Sequence, residues 1–368
     1  LTVPQTFFET PSNLIERIEA AERAEPTPGG YYRVHRLPFW EKVGWYKTSQ
    51  PDRYQDLVRW ERRTLQPKYG VPLGLEYTLV EGTAELYDYM FFFSPFEGIH
   101  SEQVAEALAH DPEARLVTHP RRGFDLWNSR YFILPYIPAN DEHRSYYAFL
   151  AETEVIAPRF GGSEDRKAKE RWAETEDWQL RRNLDAFPRA WVVHDAIIRP
   201  PISGLNRGDR AALMEDITYK NDPTWSVRGK VVYDPREVAW VELENQGEIH
   251  PYLSRSAVQP SEAPRITRYE TERVEIEVDL KTPGIVVLAD VFYPGWRLTV
   301  DGEEAPIYRT NRLMRGAALT AGRHRLVYTY EPNSVRVGLA LSTVGLLALG
   351  SLAVWCWRHR ADGNSGEG

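Results

Sequence analysis

Two hydrophobic patterns divide the chain. Between Arg265 and Pro332 apolar and polar positions alternate in short runs. From Val337 to Trp357 there is no charged residue at all. In the first region "RVEIEVDL" (273–280) alternates strictly, and "GIVVLAD", "WRLTV", "APIYRT", "LMRGAAL" and "HRLVYTYEP" follow, separated by "TPG", "YPG", "DGEE" and "AG". A period of two sends successive side chains to opposite faces of a strand. Short strands at close, regular spacing predict an antiparallel β-sandwich, jelly-roll-like, over about residues 264–331. Asp301-Gly302 is a hairpin signal. Pro294-Gly295 suits a type II turn, which needs a positive φ at the glycine.

The charge-free run reads as a transmembrane helix over 335–357. Residues 337–357 would span about 31 Å at roughly 1.5 Å per residue, close to a bilayer core. Trp355 and Trp357 stand at its end, where indole rings favour the interface. Arg336 precedes the run and "RHR" (358–360) follows it. That excess of basic residues puts 358–368 in the cytoplasm and the bulk of the chain outside. Gly338 and Ser342 share a helix face, and with Gly345 and Gly350 they leave room for a second transmembrane helix.

Upstream the pattern is mixed α/β. Ser12 or Asn13 can cap a helix over "LIERIEAAERA", with Glu16 completing a capping box, and "PTPGG" ends it. "YYRVHRL" reads as a strand, and "PDRYQDLVRWERRTL" as a helix stopped by Pro67. Gly70, Gly74 and Gly82 mark chain reversals. "SEQVAEALAH", opened by Ser101, reads as a helix. "SRYFILP" and "RAWVVHDAII" read as buried strands. The charged stretch around "GGSEDRKAKERWAETEDW" reads as an exposed insertion or linker, partly helical. The expected organisation is therefore α+β: a mixed region 1–160, a linker 161–182, a β-rich region 183–333 that ends in the sandwich, the span, and the tail 358–368.

Composition narrows the function classes. A chain of 368 residues with 42% hydrophobic and 27% charged residues has the make-up of globular protein. A net charge of −8 argues against a general nucleic-acid binder. The 12 Trp and 20 Tyr can supply sugar-stacking surfaces or fill a core. Cys356, the one cysteine, lies in the apolar run, so the polar part has no disulfide and no thiolate site. The amino end lacks the basic start and apolar stretch of a signal peptide and begins with Leu. It reads as a fragment or as an alternative start.

Catalytic signatures are sparse. The nine histidines form no H-x-x-x-H pair, which argues against zinc. There is no G-x-S-x-G around Ser94, Ser163 or Ser203, and no phosphate-cradling glycine loop. No cofactor is implied. Asp301, Glu303 and Glu304 sit at a hairpin and read as solvated. Asp290 reads as a turn cap. Arg309, Arg312, Arg323 and Arg325, with Arg315, make the densest basic patch before the span. They are candidates for lipid-phosphate contact, with a solvated sheet face as the alternative.

The carboxy-terminal pattern resembles the last region of the YfhO family of bacterial multi-spanning membrane proteins. The likeness rests on Asp290, Tyr293-Pro294-Gly295-Trp296, Asp301-Gly302, Asn311, Arg315, Ala321-Gly322, His324, Tyr330 and Pro332, followed by the final span. "YYRVHR", "RYQDL", "NSRYFIL" and "FPRAWVV" fit the family's outer region more loosely. That family is similar to GT-C glycosyltransferases, which use polyprenyl-phosphate-linked sugars on the outer membrane face. The resemblance implies an accessory extracytoplasmic domain and last span in envelope glycosylation. The catalytic acidic residue of such enzymes follows a first span that has no counterpart here, so no catalytic residue is carried over. Two other readings stay open. One is a single-pass, membrane-anchored module whose sandwich docks glycan. The other is a hydrolase with paired carboxylates in the first region, which sequence alone cannot locate.

Overall fold

The computed structural model describes residues 12–37, 40, 52–79, 87–93, 121–136, 149, 152–161, 165–201 and 234–363. The helix expected at Ser101 and the reversal at Gly82 lie outside them. The fold is α+β, with three sheets and a long carboxy-terminal helix.

Helix α1 (Asn13–Ala24) is capped by Ser12, whose hydroxyl accepts from the Leu14 N–H at 3.3 Å. Leu14, Ile18 and Ala21 are its buried face, at the spacing that repeats once per turn. It packs on a first sheet of order β1-β2-β4-β3, made of β1 (Arg33–Arg36), β2 (Ser129–Leu134), β3 (Thr153–Ala157) and β4 (Gln179–Asn183). Strand β1 runs parallel to β2, and the other pairs are antiparallel. Helices α2 (Arg53–Arg63), α3 (Tyr87–Phe93) and α4 (Arg121–Leu126) belong to the same half of the chain.

The stretch 161–182, expected as an exposed linker or insertion and partly helical, ends inside the first sheet. It holds helix α5 (Arg166–Thr175) and then runs into β4, which is hydrogen-bonded on both sides, Leu180 pairing with Ile133 and with Ala157. Trp178 and Leu180 are buried, so this is an inner strand whose charged neighbours mask its period of two. The exposed part is α5, which has no fully buried residue.

The second sheet has the order β5-β10-β14-β13-β7-β6, from β5 (Ala190–Val193), β6 (Asp195–Arg199), β7 (Val238–Glu242), β10 (Gly284–Leu288), β13 (Tyr308–Thr310) and β14 (Met314–Leu319). Its first and last strands are separated in sequence by His194 alone. The sheet therefore curls until its two edges meet at that bend, as barrels and sharply folded sandwiches do. His194 is fixed there by Pro283 O at 2.9 Å and by buried Glu262 at 3.2 Å. Gly284 leaves the room, since a Cβ on it would lie 2.7 Å from His194 Nδ1. The sequence reads "RAWVVHDAII" as one strand run; the bend gives it two roles at opposite edges.

The third sheet, β12-β11-β15-β9-β8, comprises β8 (Arg265–Glu270), β9 (Arg273–Leu280), β11 (Trp296–Val300), β12 (Glu303–Ala305) and β15 (Gly322–Tyr330). Val274, Ile276, Val278, Leu326 and Tyr328 from this sheet pack on Val192, Val286, Leu288 and Leu319 of the second. This is the expected sandwich, with β5 from outside 264–331 in its second layer. The opposite face of the second sheet joins a larger core with the first.

After β15 the chain enters helix α6 (Asn333–Gly363). Its segment Asn333–Cys356 has a mean hydropathy of 2.1 and no buried share. A helix that is apolar on all sides and packs on nothing among the described residues matches lipid as solvent rather than water.

Candidate functional site

Part of the set singled out by sequence, the Tyr293–Trp296 turn with Arg315, Tyr330 and Pro332, converges where α6 is rooted in the sandwich. Trp296 and Tyr330 are register partners on β11 and β15, and their rings lie 5.3 Å apart. Gly295 has φ +105°, the positive value expected of the Pro294-Gly295 turn. It is also a close-approach glycine. Its carbonyl accepts from the Glu331 N–H at 2.6 Å, and a Cβ there would meet Tyr330 at 2.9 Å and Pro332 at 3.1 Å. The turn is thus clamped to the two residues before α6. Behind it the Arg315 guanidinium lies 3.6 Å from the Trp296 ring centroid, and its Nε donates to Val291 O at 3.0 Å. A cleft of about 230 Å³ opens here, lined by Tyr293, Pro294, Trp296, Arg297, Glu304 and Arg315 among others.

Beneath the cleft Asp290 is buried in a charge cluster. Its Oδ1 accepts from Arg33 Nη2 at 2.9 Å and from the Tyr269 hydroxyl at 3.0 Å, and it pairs with Arg189 Nε at 3.1 Å. Arg33 also donates to Trp127 O and Ala289 O and stacks 4.6 Å from the Trp127 ring. Arg189 reaches Glu76 and the Tyr269 hydroxyl as well. Burial alone would raise the Asp290 pKa; Arg189, Arg33 and Arg315 outweigh it and hold the carboxyl down to about 2. An ionised carboxylate so fully engaged is no proton acceptor for a substrate. It ties β1 of the first sheet to the sandwich. Arg33, Glu76, Arg189 and Tyr269 escaped the sequence reading, although "YYRVHR" and "FPRAWVV" each carry one of the arginines within an apolar strand.

Asp301 and Gly302 lie elsewhere, at the β11–β12 hairpin, with φ +54° and +93°. Asp301 accepts from the Arg325 N–H at 2.8 Å and meets His324 Nδ1 at 2.7 Å, which fastens the hairpin to β15. Asn311 is a register lock: its Oδ1 accepts from the Trp240 N–H at 2.9 Å and its own N–H donates to Trp240 O at 2.7 Å.

The basic patch does not hold together. Arg312 is 1% exposed, with Nη1 at 2.8 Å from both Glu242 carboxylate oxygens and Nη2 at 3.0 Å from Asp88. Arg309 joins the same cluster through Asp88 at 2.8 Å. Arg312 is therefore not a lipid-phosphate contact: its guanidinium is interior and committed to carboxylates, and Arg309 is engaged with it. Arg325 pairs with Glu275 at 2.6 Å, while Arg323 is exposed beside Asp279 at 3.8 Å. Strand β15 carries those two away from α6, so that Arg323 lies about 23 Å along the strand from Tyr330.

A further perturbed carboxyl sits in the first half. Asp177 is buried and accepts from Trp40 Nε1 at 3.2 Å. Burial raises its pKa to about 6, against the opposing pull of that N–H and of Arg36 and Arg63. Neither the cleft at the α6 root nor the apolar cavity between Phe187 and Ile266 is lined by it. A folded-state pKa above the usual 3.8 means that the folded state holds the proton longer. This stabilisation is complete below about pH 4 and is lost as pH rises through 6, by up to about 3 kcal/mol. Urea unfolding of Asp177→Asn should show it gaining about 2–3 kcal/mol on wild type between pH 4 and pH 8. A gap independent of pH would remove the assignment.

Chemically, the cleft at the root of α6 combines a buried cation with aromatic walls, and its lining holds no paired carboxylates or histidine. Among the described residues no group of three His, Cys, Asp or Glu side chains could hold a metal ion. The fold thus defines an α+β protein with one apolar terminal helix compatible with a membrane anchor. Comparison with protein-family models, curated proteins and solved structures found no match.

Proposed function

We propose that the chain is the extracytoplasmic accessory domain and final membrane span of a YfhO-like, GT-C-like membrane protein. That protein works in cell-envelope glycosylation with sugar carried on polyprenyl phosphate. The observation that carries this reading is the junction itself. Strand β15 passes within three residues into α6, whose apolar surface packs on nothing among the described residues, and the Tyr293–Trp296 turn clamps that passage. A sandwich held this tightly to a bilayer-length helix suits a domain at the membrane surface. The residues of the likeness that surround the junction, Asp290, Gly295, Trp296, Arg315, Tyr330 and Pro332, serve its geometry, so catalysis belongs to a part outside these residues. The orientation, bulk outside and 358–368 in the cytoplasm, follows from the flanking basic residues.

The test is the DNA upstream of the Leu1 codon. An open frame encoding further apolar spans, with an acidic residue after the first, supports the reading. An in-frame stop close to Leu1 overturns it and makes the single-pass glycan-binding module the better account. The purified 368-residue chain is expected to transfer no sugar from a lipid-linked donor.

A further inference from the structure

We propose that the cleft at the root of α6 binds the anionic phosphate headgroup of a membrane lipid, with the Arg315 guanidinium as its cation and the Tyr293–Trp296 turn as its wall. The inference rests on α6 being a membrane span. The central observation is an arginine whose burial the described residues balance only in part. Arg315 is 4% exposed and makes a single hydrogen bond, to Val291 O, and its Nη1 has no partner. The nearby carboxylate, Asp290, is taken up at 2.9 Å by Arg33 and at 3.1 Å by Arg189. Burial accordingly pulls the Arg315 pKa below its usual value. A buried cation that shares its nearest carboxylate, Asp290, with two other arginines is only partly compensated, and an anion of fork-matching geometry offsets the rest directly.

Position selects the source of the anion. One wall of the cleft is the turn that touches Pro332, the residue before α6, so the cleft opens where the headgroups of a spanned bilayer would lie. A volume of about 230 Å³ holds a phosphate ester with a few waters. It does not favour a stacked sugar, because Arg315 already covers one face of Trp296. At the rim, Arg297 adds a positive charge and Glu304 a negative one, 3.9 Å apart. The rim is thus nearly neutral and the buried floor positive.

The full chain is reconstituted into phosphatidylcholine nanodiscs, and its Tm is measured alone, with about 10 mol% phosphatidic acid, and with inorganic phosphate. Phosphatidic acid should raise Tm by roughly 3–6 °C and inorganic phosphate should not. Arg315→Met should lose the rise, Arg315→Lys should keep part of it, and Glu304→Gln, at an exposed rim position, should enlarge it. The same rise in Arg315→Met overturns the proposal. If that variant fails to fold, an unchanged rise in Glu304→Gln overturns it instead. An equal effect of inorganic phosphate overturns the lipid source. Incorporation without any rise overturns the cleft and leaves the anchor standing, whereas failure to incorporate overturns the anchor on which it rests.

Discussion

Asp290→Ala is expected to leave a chain without a cooperative unfolding transition, or one destabilised by at least about 4 kcal/mol. The wild-type carboxylate is the shared counter-charge of Arg33 and Arg189, and it also faces Arg315. Removing it leaves buried Arg33 and Arg189 with Glu76 as their remaining carboxylate, so much of the desolvation cost of each guanidinium goes uncompensated. The damage extends beyond the site, because Arg33 lies on β1 of the first sheet and Arg189 lies just before β5 of the second. Asp290→Asn keeps the shape and the acceptor but not the charge, and should cost nearly as much. The pH dependence is the sharper test. A folded-state pKa held near 2 gives stabilisation that is complete above the ordinary 3.8 and is lost as pH falls through 2. Chemical unfolding should therefore show a constant gap between wild type and Asp290→Asn from pH 8 to 5, shrinking below pH 4. A gap that closes near neutral pH would mean that the carboxylate is not the cluster's ionised partner.

What sequence could show was local. The apolar run became α6 because 21 consecutive uncharged residues need no partner to be recognised. Gly295 kept its expected positive φ and Asp301-Gly302 its expected hairpin because turn chemistry is decided within four residues. The strands of the sandwich were legible because their period of two survives on each strand separately. The misses are non-local. The closure of the second sheet depends on a bend at His194 whose reasons, Glu262 and Gly284, lie 68 and 90 positions away. Strand β4 was hidden because α5 and its flanks supply charge on both sides of Trp178 and Leu180. The arginines were hardest: a solvated Arg and a buried, paired Arg look identical in sequence, and only the fold brings Glu242 or Asp290 within reach. The cleft shares that limit, since its cation matters for what the structure leaves it without.

Arg312→Met is the second large effect expected, a loss of about 3–5 kcal/mol read by thermal or urea unfolding. Arg312 and Asn311 both hold positive φ, +66° and +44°, in the tight turn between β13 and β14. For an arginine that backbone is unfavourable, and the ion pairs of its side chain with Glu242 and Asp88 hold it in place. Without Arg312, buried Glu242 retains only Arg309, at 3.8 Å, and the turn loses its anchor. If the cost is the stranded carboxylate, then Arg312→Met combined with Glu242→Met should recover much of it. An apolar pair of similar volume replaces a buried ion pair with little penalty. The double variant should lie within about 1–2 kcal/mol of wild type, well short of the sum of the singles. Glu242→Met alone should be intermediate, because Asp88 continues to accept from both Arg309 and Arg312. Additive losses would instead place the energy in the backbone of the turn. In that case Arg312→Gly, free to adopt the positive φ, should be the milder single substitution.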